Sequence, residues 1–150
     1  MADFSLAKTP KQYAECHRLV KQLGLKKEKL GWPTVLCYQE GKLRGFLSTV
    51  KRKDIVLAGP LVFSPPNNLN MILHLINAYE QVLFQCGMLG YYFRVDLADP
   101  GWLGLVKKFT EQYGGIEQLS SEPDEDNALW FARLFTTQEE IATPRTEVVQ

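Results

Sequence analysis

At 150 residues the chain is long enough for one domain with a proper core, and 45% hydrophobic with 23% charged residues is an ordinary globular composition. Its 17 basic and 17 acidic residues cancel, so no global field draws it to nucleic acid or to an anionic membrane. The three cysteines, Cys16, Cys37 and Cys86, are widely spaced without a C-x-x-C pair, which speaks against a metal or redox motif and reads as buried free thiols in a reducing compartment.

The N-terminal MADFSLAKTP lacks an apolar signal region, and no apolar run approaches the roughly 20 residues that cross a bilayer. The expected location is the cytoplasm. Thr9 as N-cap, Pro10 at the first helical position and Gln12 three residues after the cap predict a helix over 10–23, closed by Gly24. Its apolar stripe is Tyr13, Cys16, Leu19, Val20 and Leu23, with His17 at the boundary. Lys26, Lys27 and Lys29 then read as a solvated charge run.

TVLCYQ and LRGFLSTVKR, joined by Glu40-Gly41-Lys42, predict a hairpin. IVLAGPLVF is nearly continuous in apolar residues and reads as a central strand buried on both faces. Pro60 cannot donate to a ladder, so the strand is expected to bulge or splay at Gly59-Pro60. A break at Ser64-Pro65-Pro66-Asn67-Asn68 leads into a long helix whose core stripe is Leu69, Ile72, Leu73, Ile76, Tyr79, Leu83 and Cys86. The opposite face carries Asn70, His74, Asn77, Gln81 and Gln85, an uncharged stripe that reads either as a contact surface for a protein partner or as plain solvent-facing surface. A strand meeting a helix N-terminus is a natural anion site. Here residues 54–93 hold no Lys or Arg and the loop has no glycine, so geometry permits an anion that the chemistry does not support.

LGYYFRVDLA predicts a strand with Tyr92, Arg94 and Asp96 on one side and Tyr91, Phe93, Val95 and Leu97 on the other. Asp99 and Pro100 start a further helix, with Trp102, Leu105, Val106, Phe109 and Tyr113 on one face up to Gly114-Gly115. IEQLS, the acidic turn SEPDEDN and ALWFARLF close the domain as a strand pair. The domain is expected over 1–135, and 136–150 reads as a tail ordered only if a partner holds it.

This order of elements resembles the GNAT superfamily of acyl-CoA-dependent N-acetyltransferases over roughly residues 10–135. The residues that carry the likeness are EGKLRGFLS, LAGPLVFSPP running into the long helix, and FTEQYGG. The resemblance implies an α+β fold, a mixed and mostly antiparallel sheet with helices on both faces. It also implies acetyl-CoA as cofactor: Leu61, Val62 and Phe63 would lie along the pantetheine arm, and the backbone of Asn67, Asn68, Leu69, Asn70 and Met71 would hold the pyrophosphate. Lys51, Arg52 or Lys53 would reach the adenine-ribose phosphate. The family's glycine-rich pyrophosphate loop is replaced by Pro66-Asn67-Asn68-Leu69-Asn70-Met71 with no cation near, and the family's acidic tyrosine aligns with Thr110. Tyr113, or Tyr91 or Tyr92, is left as the acid, and Asp96 or Glu111 as the base.

Two functions follow. One is a non-catalytic binding or structural module with an eroded CoA site, whose partner contacts the amide-lined helix or the C-terminal tail. The chain is also similar in layout to small GNAT-like proteins of T7-like tailed phages, which implies virion assembly, in the host cytoplasm or the virion. The other is an active acetyl-CoA-dependent N-acetyltransferase with an atypical loop. No metal site is expected.

Overall fold

The computed structural model describes residues 2–52, 55–135, 137 and 140–141, excluding the side chains of Arg52 and Pro100. Ten elements follow in order: β1 (Ala2–Leu6), α1 (Pro10–Gln22), β2 (Val35–Gln39), β3 (Lys42–Arg52), β4 (Ile55–Phe63), α2 (Leu69–Gln85), β5 (Gly90–Asp96), α3 (Pro100–Tyr113), β6 (Ile116–Gln118) and β7 (Ala128–Leu134). The strands form one seven-stranded sheet in the order β1-β2-β3-β4-β5-β7-β6. Every pairing is antiparallel except β4 with β5, which is parallel.

The helix starts follow from local chemistry. Thr9 and Gln12 form a full capping box at α1, and Asn68 and Asp99 cap α2 and α3 through their side chains. α1 lays Cys16, Leu19 and Val20 on Leu36, Phe46 and Val62, one face of the sheet. α2 covers the other face, setting Leu75, Tyr79 and Leu83 among Val35, Cys37 and Leu47. α3 packs Trp102 and Val106 against Val95, Leu129 and Phe131 on that same second face. Helices on both faces of a mixed sheet are thus observed.

Four expectations change. β1 was not foreseen: Ala2, Phe4 and Leu6 turn inward and Asp3 and Ser5 outward, and the strand adds an edge by pairing Phe4 with Cys37. α2 is buried around most of its circumference rather than along one stripe, because the sheet and α3 both reach it. Its end residues leave the core instead: Leu69 is 47% exposed, and Cys86, at the C-cap, is an exposed thiol. Cys16 and Cys37 are buried as expected, and burial pushes the Cys16 thiol up to about 12. Finally, the core runs on past residue 135, since Phe135 and Ile141 are both fully packed against α2 and Tyr91. Thr137 and Glu140 of the expected tail are also described, and residues 136, 138–139 and 142–150 lie outside the described residues.

Candidate functional site

β4 and β5 pair only at Leu57 with Tyr92 and Ala58 with Phe93. On its other edge β4 pairs with β3 along its length, apart from a shift between Leu47 and Thr49 that sets Ser48 against both Gly59 and Pro60. That is the expected bulge, and Gly59 sits there at φ +139°, a conformation that favours glycine. Past it the two parallel strands part. The cleft between them holds about 650 Å³, within the range of small-molecule sites. Gly59, Pro60, Leu61 and Val62 form one wall, and Phe93 with Trp102 and Leu105 of α3 the other. Lys26 and Glu28, from the loop after α1, also line it, so it passes through the sheet from one face to the other.

The edge of β4 in this cleft carries free backbone groups. Ser64 N donates to Arg44 O at 2.7 Å, and antiparallel alternation then turns the groups of Val62 toward β3 and those of Leu61 and Phe63 toward the opening. Of the three residues expected along a pantetheine arm, Leu61 and Val62 line the cleft. Phe63 instead packs in the core beneath the guanidinium of Arg44, 5.0 Å from its ring centre.

The turn into α2 is more closed than the cleft. Asn68 Oδ1 accepts the Met71 amide at 3.1 Å, and its carbonyl accepts Ile72 N at 3.0 Å. The Met71 side chain is core. The Leu69 and Asn70 amides find no acceptor among the described residues, while Pro65 and Pro66 have no N–H to offer. A cation does reach this turn, contrary to the sequence reading. Arg44 Nη2 donates to Ser64 O at 3.1 Å and Pro66 O at 2.9 Å, and Nη1 donates to Gln39. Its donors hold the loop's carbonyls rather than facing an incoming anion. A diphosphate is held by several close backbone donors; this turn has no glycine, and its Met71 N is already engaged by Asn68. Lys51 lies elsewhere, lining a second cavity. The Arg52 side chain and Lys53 lie outside the described residues.

The candidate acids and bases are not brought together. Tyr113 stands in the last turn of α3, its ring 4.7 Å from Phe109 and its hydroxyl accepting from Gln112 Nε2 at 3.1 Å. It does not line the cleft. Thr110 donates to Val106 O at 2.8 Å within the helix. Tyr92 points to the opposite side of β5 from Tyr91. Glu111 is exposed on α3. Asp96 does line the cleft, but its Oδ1 accepts Ala98 N at 2.9 Å in the turn after β5.

Tyr91 lines the cleft with its ring only. Its hydroxyl donates to Glu80 Oε2 at 2.6 Å, inside the core. Glu80 also receives Arg133 Nε at 2.9 Å and Nη2 at 3.2 Å. Burial raises the Tyr91 hydroxyl well above its ordinary value, and the Glu80 charge adds to the rise. Tyr79, hydrogen-bonded to Thr49 at 2.7 Å, is pushed up to about 12 by burial. Both hydroxyls are held by buried partners. The buried Glu80–Arg133 pair escaped sequence reasoning because its members lie 53 positions apart, on a helix and a strand that each read as amphipathic. Among the described residues no group of three or more His, Cys, Asp or Glu side chains could hold a metal.

On the far face Arg94 pairs with Asp124 at 2.9 Å and Asp126 at 3.1 Å. Partial desolvation raises the Asp124 pKa, but hydrogen bonds from Trp130, Ala128, Asp126 and Arg94 outweigh it and hold it at about 2. A depressed folded pKa adds stability above the ordinary 3.8 that is lost as pH falls through about 2. Asp124→Asn should therefore lower Tm slightly at neutral pH, and the gap from the parent should close as pH falls from 4 to 2. A gap that widens on acidification would contradict the sign.

No protein-family model matches the sequence, and no curated protein does. The fold has many solved counterparts. Ard1 from Thermoplasma volcanium superposes with a TM-score of 0.71 at 15% identity, over 91% of this chain and 99% of that one. The ribosomal-protein-S18-alanine N-acetyltransferase from Escherichia coli gives 0.64 at 13% identity, over 98% of both chains. N-acetylglutamate synthase from Neisseria gonorrhoeae, solved with coenzyme A and N-acetyl-glutamate, gives 0.62 at 11% identity, over 91% of this chain and 36% of that longer one. The fold is that of the GNAT acetyltransferases. No helix among the described residues is long and apolar enough to cross a membrane.

Proposed function

We propose that this chain uses the GNAT fold as a protein-binding module and does not transfer acetyl groups. The observation that carries this reading is the turn into α2. Asn68 occupies the Met71 amide, Arg44 is fastened to the Ser64 and Pro66 carbonyls, and no glycine lets a phosphate approach the backbone. The commitment of the Tyr79 and Tyr91 hydroxyls to buried partners, and the position of Tyr113 outside the cleft, support it further. Function follows the site rather than the fold.

The partner surface we propose is the side of α2 that carries Asn70, His74 and Gln85, next to the β1 edge. There the exposed His74 ring stacks on Phe4 at 5.6 Å. The residues beyond 141 are a second proposed contact. The context we propose is the virion assembly implied by the likeness to small phage proteins.

The open cleft and the unpaired Leu69 and Asn70 amides favour one other reading, an acetyltransferase with an atypical loop. Mixing the protein with acetyl-CoA and amine acceptors, an alanine-initiated peptide and an aminoglycoside among them, separates the two. The binding-module reading expects CoA thiol release no faster than in buffer. Turnover with any amine would overturn it.

A further inference from the structure

Away from the cleft, the loop through Gly31, Trp32 and Pro33 crosses the end of the β3–β4 hairpin and meets the C-terminus of α2. A second cavity of about 430 Å³ opens there. It shares only Val50 with the lining of the cleft. Its body is apolar: Leu30, Trp32, Val50, Val56, Leu83 and Met88. Trp32, at 56% exposure, is among the most exposed large hydrophobic side chains.

Among the described residues, Lys29 and Lys51 are the only charged residues that line this cavity. Both are exposed, and neither has an ion-pair partner among the described residues. The negative end of α2 faces the region, but its last carbonyls are occupied: Val82 and Leu83 accept Cys86 N, Phe84 accepts Gly87 N, and Leu83 also accepts Met88 N. What remains of the helix dipole, about 0.3–1 kcal/mol for one charge, is opposed by two lysines. An apolar chamber of this size with two unpaired cations at its rim complements a ligand with a hydrocarbon body and a single anionic head.

We propose that this second cavity binds an amphipathic carboxylate of the medium-chain fatty acid class, its chain between Trp32, Val56 and Leu83 and its head at Lys29 and Lys51. The site is independent of the cleft and of whether the chain binds CoA.

Cys86 supplies the readout. It lines the cavity and is exposed, whereas Cys16 and Cys37 are buried, so iodoacetamide, a neutral reagent, reports on the cavity through one thiol. Octanoate at ten times its dissociation constant leaves about a tenth of the sites open and should slow Cys86 alkylation about tenfold. Octan-1-ol, with the same chain and no charge, should protect far less at equal concentration. The Lys29→Glu/Lys51→Glu variant, with surface changes only and its Tm checked, should need about tenfold more octanoate for the same protection. Unchanged alkylation at millimolar octanoate would overturn the site. Equal protection by octan-1-ol, or protection indifferent to the lysine reversals, would overturn its selectivity for an anion.

Discussion

Arg133→Met should lower the unfolding free energy by about 3–5 kcal/mol, the cost of stranding one charge of a buried pair. The pair is dry: the side chains of Arg133 and Glu80 are 1% and 0% exposed, with Nε to Oε2 at 2.9 Å. Without the guanidinium, Glu80 keeps the Tyr91 hydroxyl but loses two charge-assisted bonds. Arg133 also ties distant segments together, donating to Gly114 O, Leu134 O and Glu140 O. It thereby fastens the end of α3 and the chain after β7 to α2. Gly115 shows how tightly, since a Cβ there would lie 2.4 Å from Nη1. The double variant Glu80→Met/Arg133→Met removes both charges and should cost clearly less than the sum of the two single variants. Urea unfolding followed by tryptophan fluorescence measures all three. Single-variant losses under about 1 kcal/mol, or strict additivity, would contradict the buried-pair account.

Phe46→Ala should have a similar effect for a different reason. Phe46 is fully buried on the opposite face, among Leu36, Cys16 and Val20 beneath α1. Emptying that position costs about 3–5 kcal/mol through lost transfer energy and the cavity left behind. Because Phe46 and Arg133 lie on different faces and share no partner, their effects should add. Against a total stability of about 5–15 kcal/mol, the combined variant should be largely unfolded at room temperature. A combined cost well below the sum would mean that the two faces are coupled.

Much of the fold was legible because its signals are local. The capping box at Thr9 and Gln12, the cap at Asp99, the alternation of β5 and the bulge at Gly59-Pro60 each depend on neighbouring residues, and each is present in the structure. β1 carries the same kind of alternation in five residues, Ala-Asp-Phe-Ser-Leu. It was missed because so short a strand gains its meaning only from pairing with β2. The polar features that shape the site were hidden for a physical reason. Arg44 reaches Pro66 across 22 positions and Arg133 reaches Glu80 across 53, so no window of sequence holds both partners. Cys86 misled in the opposite way: it continues the spacing of Leu83, but the helix ends there and the side chain leaves the core.

The cleft and the turn into α2 divide along the same line. The bulge or splay of β4 was readable from Gly59-Pro60, while the expectation for Leu61 and Val62 came from the resemblance. The closure of the turn by Asn68 and Arg44 is a tertiary arrangement. It also gives a graded expectation for engineered turns. Pro66→Gly/Asn68→Gly would return a backbone donor and free the Met71 amide, and should bind CoA more tightly than the parent.

Calorimetric titration of the parent protein with coenzyme A tests the central claim most directly. The account predicts no binding heat and no rise in Tm at millimolar CoA. A micromolar dissociation constant, about −8 kcal/mol, would contradict it, because the turn into α2 would then hold a diphosphate despite its occupied amide.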